Sequence, residues 1–421
     1  MQITGIIAEY NPFHNGHAFQ LTQARKQTDA DFIIIVMSGN FVQRGAPALM
    51  DKYTRAKMAL MQGADLVVEL PALWSCASAE YFAGAAVSLL YQLGCINTLC
   101  YGCETPVSDV YAKICDLLAD EPPAYRQLLT DNLSCGMAYA RARQNALLAL
   151  LPDTDTTAAA QILNNPNNIL ALEYQKAIAK EAADRDRPPI QIHPILRQGQ
   201  AYHSSRFTDP MASASAIRRF LASHPSDDIH TLRQALPDAS FQLLLDYQKH
   251  APFLYENDCS QMLHYCLLKY ASAGFCEYAD CTPQLSRRIC RNLNDYTGFS
   301  DFCMRLKTKN LAYTRISRVL LHILLDMRAD SCRIWRSRSY MPYAKILGFR
   351  KESQAVLTHL KKHASLPLLT RAADVKHICA ASDSADFYQK HLFADTLYQA
   401  LLLEKGGHNV AHACKRQIVI V

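Results

Sequence analysis

The chain has 421 residues, half of them hydrophobic and 19% charged, with a formal charge of +6. That length predicts two or three domains with substantial cores, and a composition free of low-complexity tracts excludes long disordered regions. No apolar run reaches the roughly 18 residues that cross a bilayer, the opening run Ile3 to Ala8 leads into polar residues rather than a signal cleavage site, and cysteines without framework spacing predict reduced thiols in a cytoplasmic protein with no membrane partner.

Along the first hundred residues, Ile3 to Ala8, Asp31 to Met37, Asp65 to Leu70 and Asn97 to Tyr101 are short, almost continuous apolar runs, the pattern of strands buried on both faces. Gly16 to Gln27, Lys52 to Gln62 and Ser78 to Leu93 lie between them with helical length and character. This alternation predicts a parallel sheet with right-handed crossovers, an α/β domain of Rossmann-like type. Helical signal dominates from Glu104 to Leu151, Pro189 to Leu196 is a further strand candidate, and Ser213 to Arg218 begins another helix. Residues 1–230 are therefore expected to form the α/β domain. Residues 231–421 are expected to form a mainly helical one, with Arg338 to Phe349 as a candidate helix-turn-helix element inside it.

The first strand runs into Glu9-Tyr10-Asn11-Pro12-Phe13-His14-Asn15-Gly16-His17. Ligands of parallel sheets gather at this strand-to-helix edge. Pro12 fixes the turn, Asn15 suits the helix N-cap, Gly16 lets a nucleotide approach the backbone, and the freed amides point at an anion. His14 and His17 share one side of the turn and can donate hydrogen bonds to phosphate oxygens, the protonated form more effectively than the neutral one. The segment predicts an ATP site with chemistry at the α-phosphate; histidines that merely cap a helix or fill a core are the structural alternative. At the same edge follow Ser38, Gly39 and Asn40, then Gln43-Arg44-Gly45. Arg44, Lys52 and Arg55 could hold carboxylate, pyrophosphate or RNA phosphate, or lie on a solvated surface. Ser215 and Arg218 could meet leaving phosphates at a second helix start, or simply cap that helix. The Cys-x-x-Cys at Cys100 and Cys103 has no second pair at zinc-ligand spacing and reads as a strand end.

From Arg287 to Arg318 eight Arg and Lys face only Asp295 and Asp301, and Tyr296, Phe299, Phe302 and Tyr313 interleave with them. Cations with rings suit RNA, whose phosphates need positive charge and whose unstacked bases rest on aromatic faces. Lys307, Lys309, Arg315 and Arg318 are the expected backbone contacts; a charged helix face over buried aromatics is the plainer reading.

The stretch Gly5 to His17 resembles the nucleotidyltransferase superfamily with its His-x-Gly-His signature, here His14-Asn15-Gly16-His17. Several further segments are similar to the bacterial tRNA(Met) cytidine acetate ligase family. They are Met37 to Gly45, Pro47-Ala48, Asp51-Lys52, Arg55, Asp65 to Pro71, Tyr101-Gly102-Cys103-Glu104, Asn165 to Leu170 with Tyr174, and Ser213 to Arg218. The similarity runs in order through the first 220 residues and continues more weakly through Lys307-Thr308-Lys309, Tyr313-Thr314-Arg315 and Leu347-Gly348.

The resemblance implies a two-step ligase: acetate attacks the α-phosphate of ATP to give acetyl-adenylate, and the exocyclic amine of the wobble cytidine of elongator methionine tRNA takes the acetyl group. It implies an ATP loop of Ile7, Ala8, Glu9, Tyr10, Asn11, Pro12, Phe13, His14, Asn15, Gly16, His17, Ala18, Phe19 and Gln20. Gly102 would lie against the nucleotide, Asn168 (or its neighbour Asn167) and Arg197 would complete the pocket, and His14, His17 and Arg44 would serve catalysis. Mg2+ is expected with the ATP, although no carboxylate cage is visible. The anticodon base must be splayed out to expose its amine. Two other functions fit the same motifs: an adenylyltransferase acting on a small metabolite, and an RNA-binding module with a vestigial nucleotide pocket.

Overall fold

The structure is a computed structural model that describes residues 1–105, 108–197, 211–223, 229–371, 374–378, 382–408 and 416–421. The apolar runs become the parallel strands Ile3–Ala8, Phe32–Ser38, Leu66–Leu70, Thr98–Cys103 and Gln191–Leu196. Side chains alternate between two cores: Ile34, Val36, Leu66, Val68 and Leu99 face one, and Ile33, Ile35, Met37, Val67 and Cys100 the other. Apolar residues are needed on both sides, which is why these runs are continuous rather than alternating.

Ile3–Ala8 lies in the middle, paired with Phe32–Ser38 on one side and Thr98–Cys103 on the other. The next strands continue outward, Leu66–Leu70 beyond the second and Gln191–Leu196 beyond the fourth. Chain order thus reverses between the first and fourth strands, opening a crevice at their carboxyl ends, where doubly wound sheets bind ligands.

The chain beyond residue 231 is mainly helical, yet it returns to the sheet. Ala344–Phe349 runs antiparallel beside Leu66–Leu70, and Leu368–Leu369 and Val419–Ile420 run parallel to Ala344–Phe349. The sheet therefore takes strands from both sides of residues 230 and 231. Residues 338–349 are not a helix-turn-helix element: the helix Ala329–Ser337 ends before them, and Ala344, Ile346 and Leu347 are buried as strand residues.

Two helices from this region clasp a hairpin, Phe41–Val42 with Ala46–Pro47, that follows the second strand. The helix Tyr313–Leu324 packs so closely that a Cβ on Gly45 (φ +81°) would lie 2.4 Å from the Arg318 nitrogen, so the position requires glycine. Ser317 Oγ donates to the Gly45 carbonyl at 2.8 Å. From the helix Ser382–Glu404, the Tyr398 hydroxyl donates to the Ala48 carbonyl at 2.8 Å. Among the described residues no helix is long and apolar enough to cross a membrane.

Candidate functional site

At the end of the central strand Tyr10 turns the chain with a left-handed backbone (φ 48°), and the Asn11–Pro12 peptide is cis. Asn11 Oδ1 accepts the Leu49 amide at 2.8 Å, which pins the turn to the hairpin side. The helix Asn15–Gln27 then begins, and its N-cap is His14 rather than Asn15. Asn15 instead donates its side-chain amide to the Gln234 carbonyl at 2.8 Å, so the cap falls to the imidazole before it.

His14 Nδ1 accepts the Gly16 amide at 3.0 Å, and His17 Nδ1 accepts the His14 amide at 3.3 Å. The two rings stack with centroids 3.7 Å apart. Because both Nδ1 atoms accept, each ring carries its proton on Nε2. Burial, with Arg197 and then Arg218 nearby, lowers His14 from 6.5 to about 3. Burial, then His14 and Arg197, holds His17 well below its ordinary value. Both imidazoles are therefore neutral near pH 7; of the two forms that the sequence leaves open, the fold selects the neutral one. What they offer an anion is a fixed pair of neutral N–H groups, and the positive charge comes from the two arginines.

The arginines arrive from opposite sides. Arg197 follows the fifth strand, donates its amide to the Cys103 carbonyl at 3.0 Å, and lies over Gly102, where a Cβ would come within 3.4 Å of its Cγ. Arg218 stands on the helix Ala214–Ser223, with Nη1 2.6 Å from the Asn11 carbonyl and Nη2 3.3 Å from Ser215 Oγ. Ser213 caps that helix, its Oγ accepting the Ala216 amide at 3.3 Å, so Ser215 orients Arg218 rather than capping. Arg44 is exposed at the tip of the hairpin, close enough to Arg218 for their charges to interact, as Glu9 also is. Gln43 donates its amide to Glu9 Oε1 at 2.8 Å, which fastens the hairpin to the turn after the central strand.

Asn168 lies beside this edge with its side chain enclosed. Its Oδ1 accepts the Glu104 amide at 2.9 Å and its Nδ2 donates to Thr105 Oγ1 at 2.9 Å, so it fixes the turn after Gly102. Asn167 is half-buried and bonds the Glu104 carboxylate. Cys100 and Cys103 are buried free thiols in the fourth strand, and burial raises Cys100 to about 12.

Lys52 and Arg55 do not join the site as phosphate ligands. Arg55 is fully buried and its guanidinium donates to the carbonyls of Met50 (2.9 Å), Glu9 (2.6 Å), Ser38 (3.1 Å) and Gly39. It ties the ends of the first two strands together. Lys52 Nζ is 2.7 Å from both Glu69 oxygens and 2.6 and 2.5 Å from those of Asp395. The first turn of their helix, Lys52–Met61, faces the sheet edge instead of water, and an isolated buried cation must find acceptors within the protein. Lys345 and His391 complete this cluster, which sequence reasoning missed. Among the described residues Glu69, His391 and Asp395 are the trio whose ligand atoms converge as a metal site would, and the Lys52 ammonium already lies among them.

On the polyanion side Lys307 and Lys309 are exposed in the turn before the helix Tyr313–Leu324, while Arg315 and Arg318 are half-buried on it. The Nε groups of Arg315 and Arg318 are buried without a hydrogen-bond acceptor, with Asp280 3.7 Å from the latter. Phe299 and Phe302 are core residues and not platforms for bases. Their three-residue spacing marks the buried face of the helix Phe299–Leu306, and Tyr296 donates its hydroxyl to Ser260 at 2.8 Å.

Comparison with known proteins follows the same outline. Residues 1–411 match the HIGH Nucleotidyl Transferase family. The chain is 37% identical over 378 residues to a protein of Clostridium tetani named tRNA(Met) cytidine acetate ligase, covering 88% of this chain and 90% of that one. It is 38% identical over 375 residues to a protein of the same name from Clostridium kluyveri, with 88% and 90% covered. The fold matches Thermotoga maritima TmcAL bound with alpha-thio ATP, with a TM-score of 0.89 and 25% identity over 100% of both chains. The apo form of that protein matches with a TM-score of 0.92.

Proposed function

We propose that this chain, which belongs to the HIGH nucleotidyl transferase family and within it to the tRNA(Met) cytidine acetate ligases, activates acetate with ATP and acetylates a tRNA cytidine. The observation that carries the reading is the stacked His14–His17 pair, two neutral N–H donors fixed at the crevice between the first and fourth strands and flanked by Arg197 and Arg218. Such donors stabilise charge that grows on phosphate oxygens without reorganising as it grows.

In this reading residues 7–20 hold ATP, with Gly102 leaving room for it, Arg197 lying alongside and Asn168 fixing the adjoining turn. An acetate oxygen attacks the α-phosphorus, the bond to pyrophosphate breaks, and acetyl-adenylate forms. The N4 amine of the wobble cytidine of elongator methionine tRNA then attacks the acetyl carbon, AMP leaves, and the amine loses a proton. Arg218, oriented by Ser215, faces the departing phosphates, and Arg44 faces the second substrate. Lys307, Lys309, Arg315 and Arg318 follow the tRNA backbone; the two exposed lysines lie just before the helix that carries the two arginines, and charge-assisted bonds to phosphate oxygens suit all four. Magnesium enters as part of the nucleotide substrate, and the reaction belongs in the cytoplasm, where ATP, acetate and tRNA meet.

The deciding experiment incubates the full chain with ATP, labelled acetate and total tRNA, followed by nucleoside analysis. Label in N4-acetylcytidine of methionine tRNA is the expected result. Acetate-independent transfer of AMP to a small molecule, or no turnover, rejects the reading.

A further inference from the structure

We propose that Asn40 and Asp395 are positioning residues for this reaction, holding the hairpin 41–47 against Glu9 through the buried ionic cluster around Lys52. The inference rests on the ligase reading and adds a part of the chain, the helix Ser382–Glu404, that no motif links to the ATP turn.

The cluster joins four elements. Lys52 opens the helix Lys52–Met61, Glu69 lies in the third strand, Lys345 in Ala344–Phe349, and His391 and Asp395 on the helix Ser382–Glu404. Lys52 and Glu69 are each 1% exposed and Asp395 3%, so their charges are compensated within the protein or not at all. Lys345 Nζ stands 3.1 Å from Asp395 Oδ2, and His391 Nε2 3.0 Å from Glu69 Oε1.

Charge pairing alone would leave the cluster a structural staple. Its hydrogen bonds lead further. Asp395 Oδ1 also accepts Nδ2 of Asn40 at 3.0 Å, Asn40 Oδ1 accepts the Lys52 amide at 2.9 Å, and the Asn40 carbonyl accepts the Ala48 amide at 2.8 Å. Asn40 thus closes the base of the hairpin. Tyr398, three residues beyond Asp395, holds the Ala48 carbonyl, so one helix grips both ends of that base. From the hairpin the Gln43 amide reaches Glu9, and Arg55 ties the carbonyls of Ser38 and Gly39 to that of Glu9. Every link from Asp395 to Glu9 is a direct bond, and the path ends where the charges of Glu9 and Arg44 meet Arg218. Loosening it displaces Arg44 on the hairpin, the group assigned to the second substrate, while Arg55 still holds the Glu9 carbonyl and with it the backbone of the nucleotide turn.

The test uses the full chain with Asn40→Ala and Asp395→Asn. Asn40→Ala leaves every ion pair intact and cuts only the link, so it remains informative if Asp395→Asn, which strands Lys52, folds poorly. Acetate-dependent ATP–pyrophosphate exchange should lose kcat and gain in acetate KM by on the order of tenfold to a hundredfold, because small misplacements of reacting groups carry such penalties. ATP affinity should stay within about twofold, a split that general destabilisation does not produce. Hydrogen exchange of the amides in 41–48 should quicken. Wild-type kcat and KM in Asn40→Ala, or a loss confined to the fraction of folded protein, overturns the proposal. Failure of the ligase reading looks different: the unaltered protein itself shows no acetate-dependent exchange.

Discussion

His14 and His17 stack with ring centroids 3.7 Å apart, and backbone amides hold each in one tautomer: that of His14 is donated to Nδ1 of His17, and that of Gly16 to Nδ1 of His14. Each imidazole keeps a single N–H to offer, and neither can turn it away without breaking the start of its helix. Replacing His17 by Ala should slow acetyl-adenylate formation by about a hundredfold to a thousandfold, the usual loss when one preorganised donor is removed. ATP affinity should weaken by about tenfold. Pyrophosphate exchange and nucleotide titration measure the two; unchanged values would remove the imidazole from the chemistry.

The neutral state of these rings sets a pH dependence of stability. In the unfolded chain each imidazole takes a proton below its ordinary 6.5, whereas His14 in the folded chain resists until about 3. Between those values the unfolded state binds more protons, so stability falls as pH drops from 6.5 towards 3. Burial holds His17, His322 and His391 low as well, adding to the same slope. Thermal melts from pH 7.5 to 4 should show a steady fall in Tm, less steep in His14→Asn. A Tm that rises on acidification contradicts this assignment.

Arg55 separates framework from ligand. Lysine keeps the charge but cannot donate to four carbonyls in one plane. Arg55→Lys should therefore cost about 2–4 kcal/mol of stability, because buried carbonyls lose their partners. Chemical denaturation gives the number. An intact fold with only a raised pyrophosphate KM would return this residue to the phosphate site.

Lys307 and Lys309 are exposed, so their removal tests RNA contact without disturbing the core. The double Ala variant should raise the KM for tRNA and lower the slope of log affinity against log salt by about one to two, one counterion per lost phosphate contact. Acetate-dependent pyrophosphate exchange without tRNA should be unaffected. Equal salt slopes for the two proteins would move the RNA elsewhere.

Gly45 carries the contact between hairpin and helical region. Gly45→Ala adds a Cβ at φ +81° that points at the backbone of Ser317 and Arg318. A destabilisation of about 1–3 kcal/mol is expected from the backbone conformation alone, with the contact adding to it. A denaturation midpoint equal to wild type would show that the helix can withdraw.

The central strands were legible because burial on two faces demands unbroken runs of Ile, Val and Leu, as in residues 33–37 and 66–68. Ala344–Phe349 escaped because Lys345 and Gly348 interrupt its apolar run. The turn after the first strand was readable from local spacing, but its protonation was not: that follows first from burial and then from Arg197 and Arg218, which only folding brings to His14. Lys52 and Arg55 looked like surface cations because a helix sequence does not say which face is covered, and their partners Glu69, Asp395 and the carbonyl of Glu9 lie 17, 343 and 46 residues away.

The antiparallel neighbour of Leu66–Leu70 is synthesised long after that strand has left the ribosome. Until residues 344–349 emerge, the nascent N-terminal half presents an apolar, unpaired edge, a template for mispairing with other chains. A ribosome stalled anywhere in the helical segment would therefore carry an aggregation-prone half-sheet, and helpers that shield nascent chains should engage this protein through most of its translation.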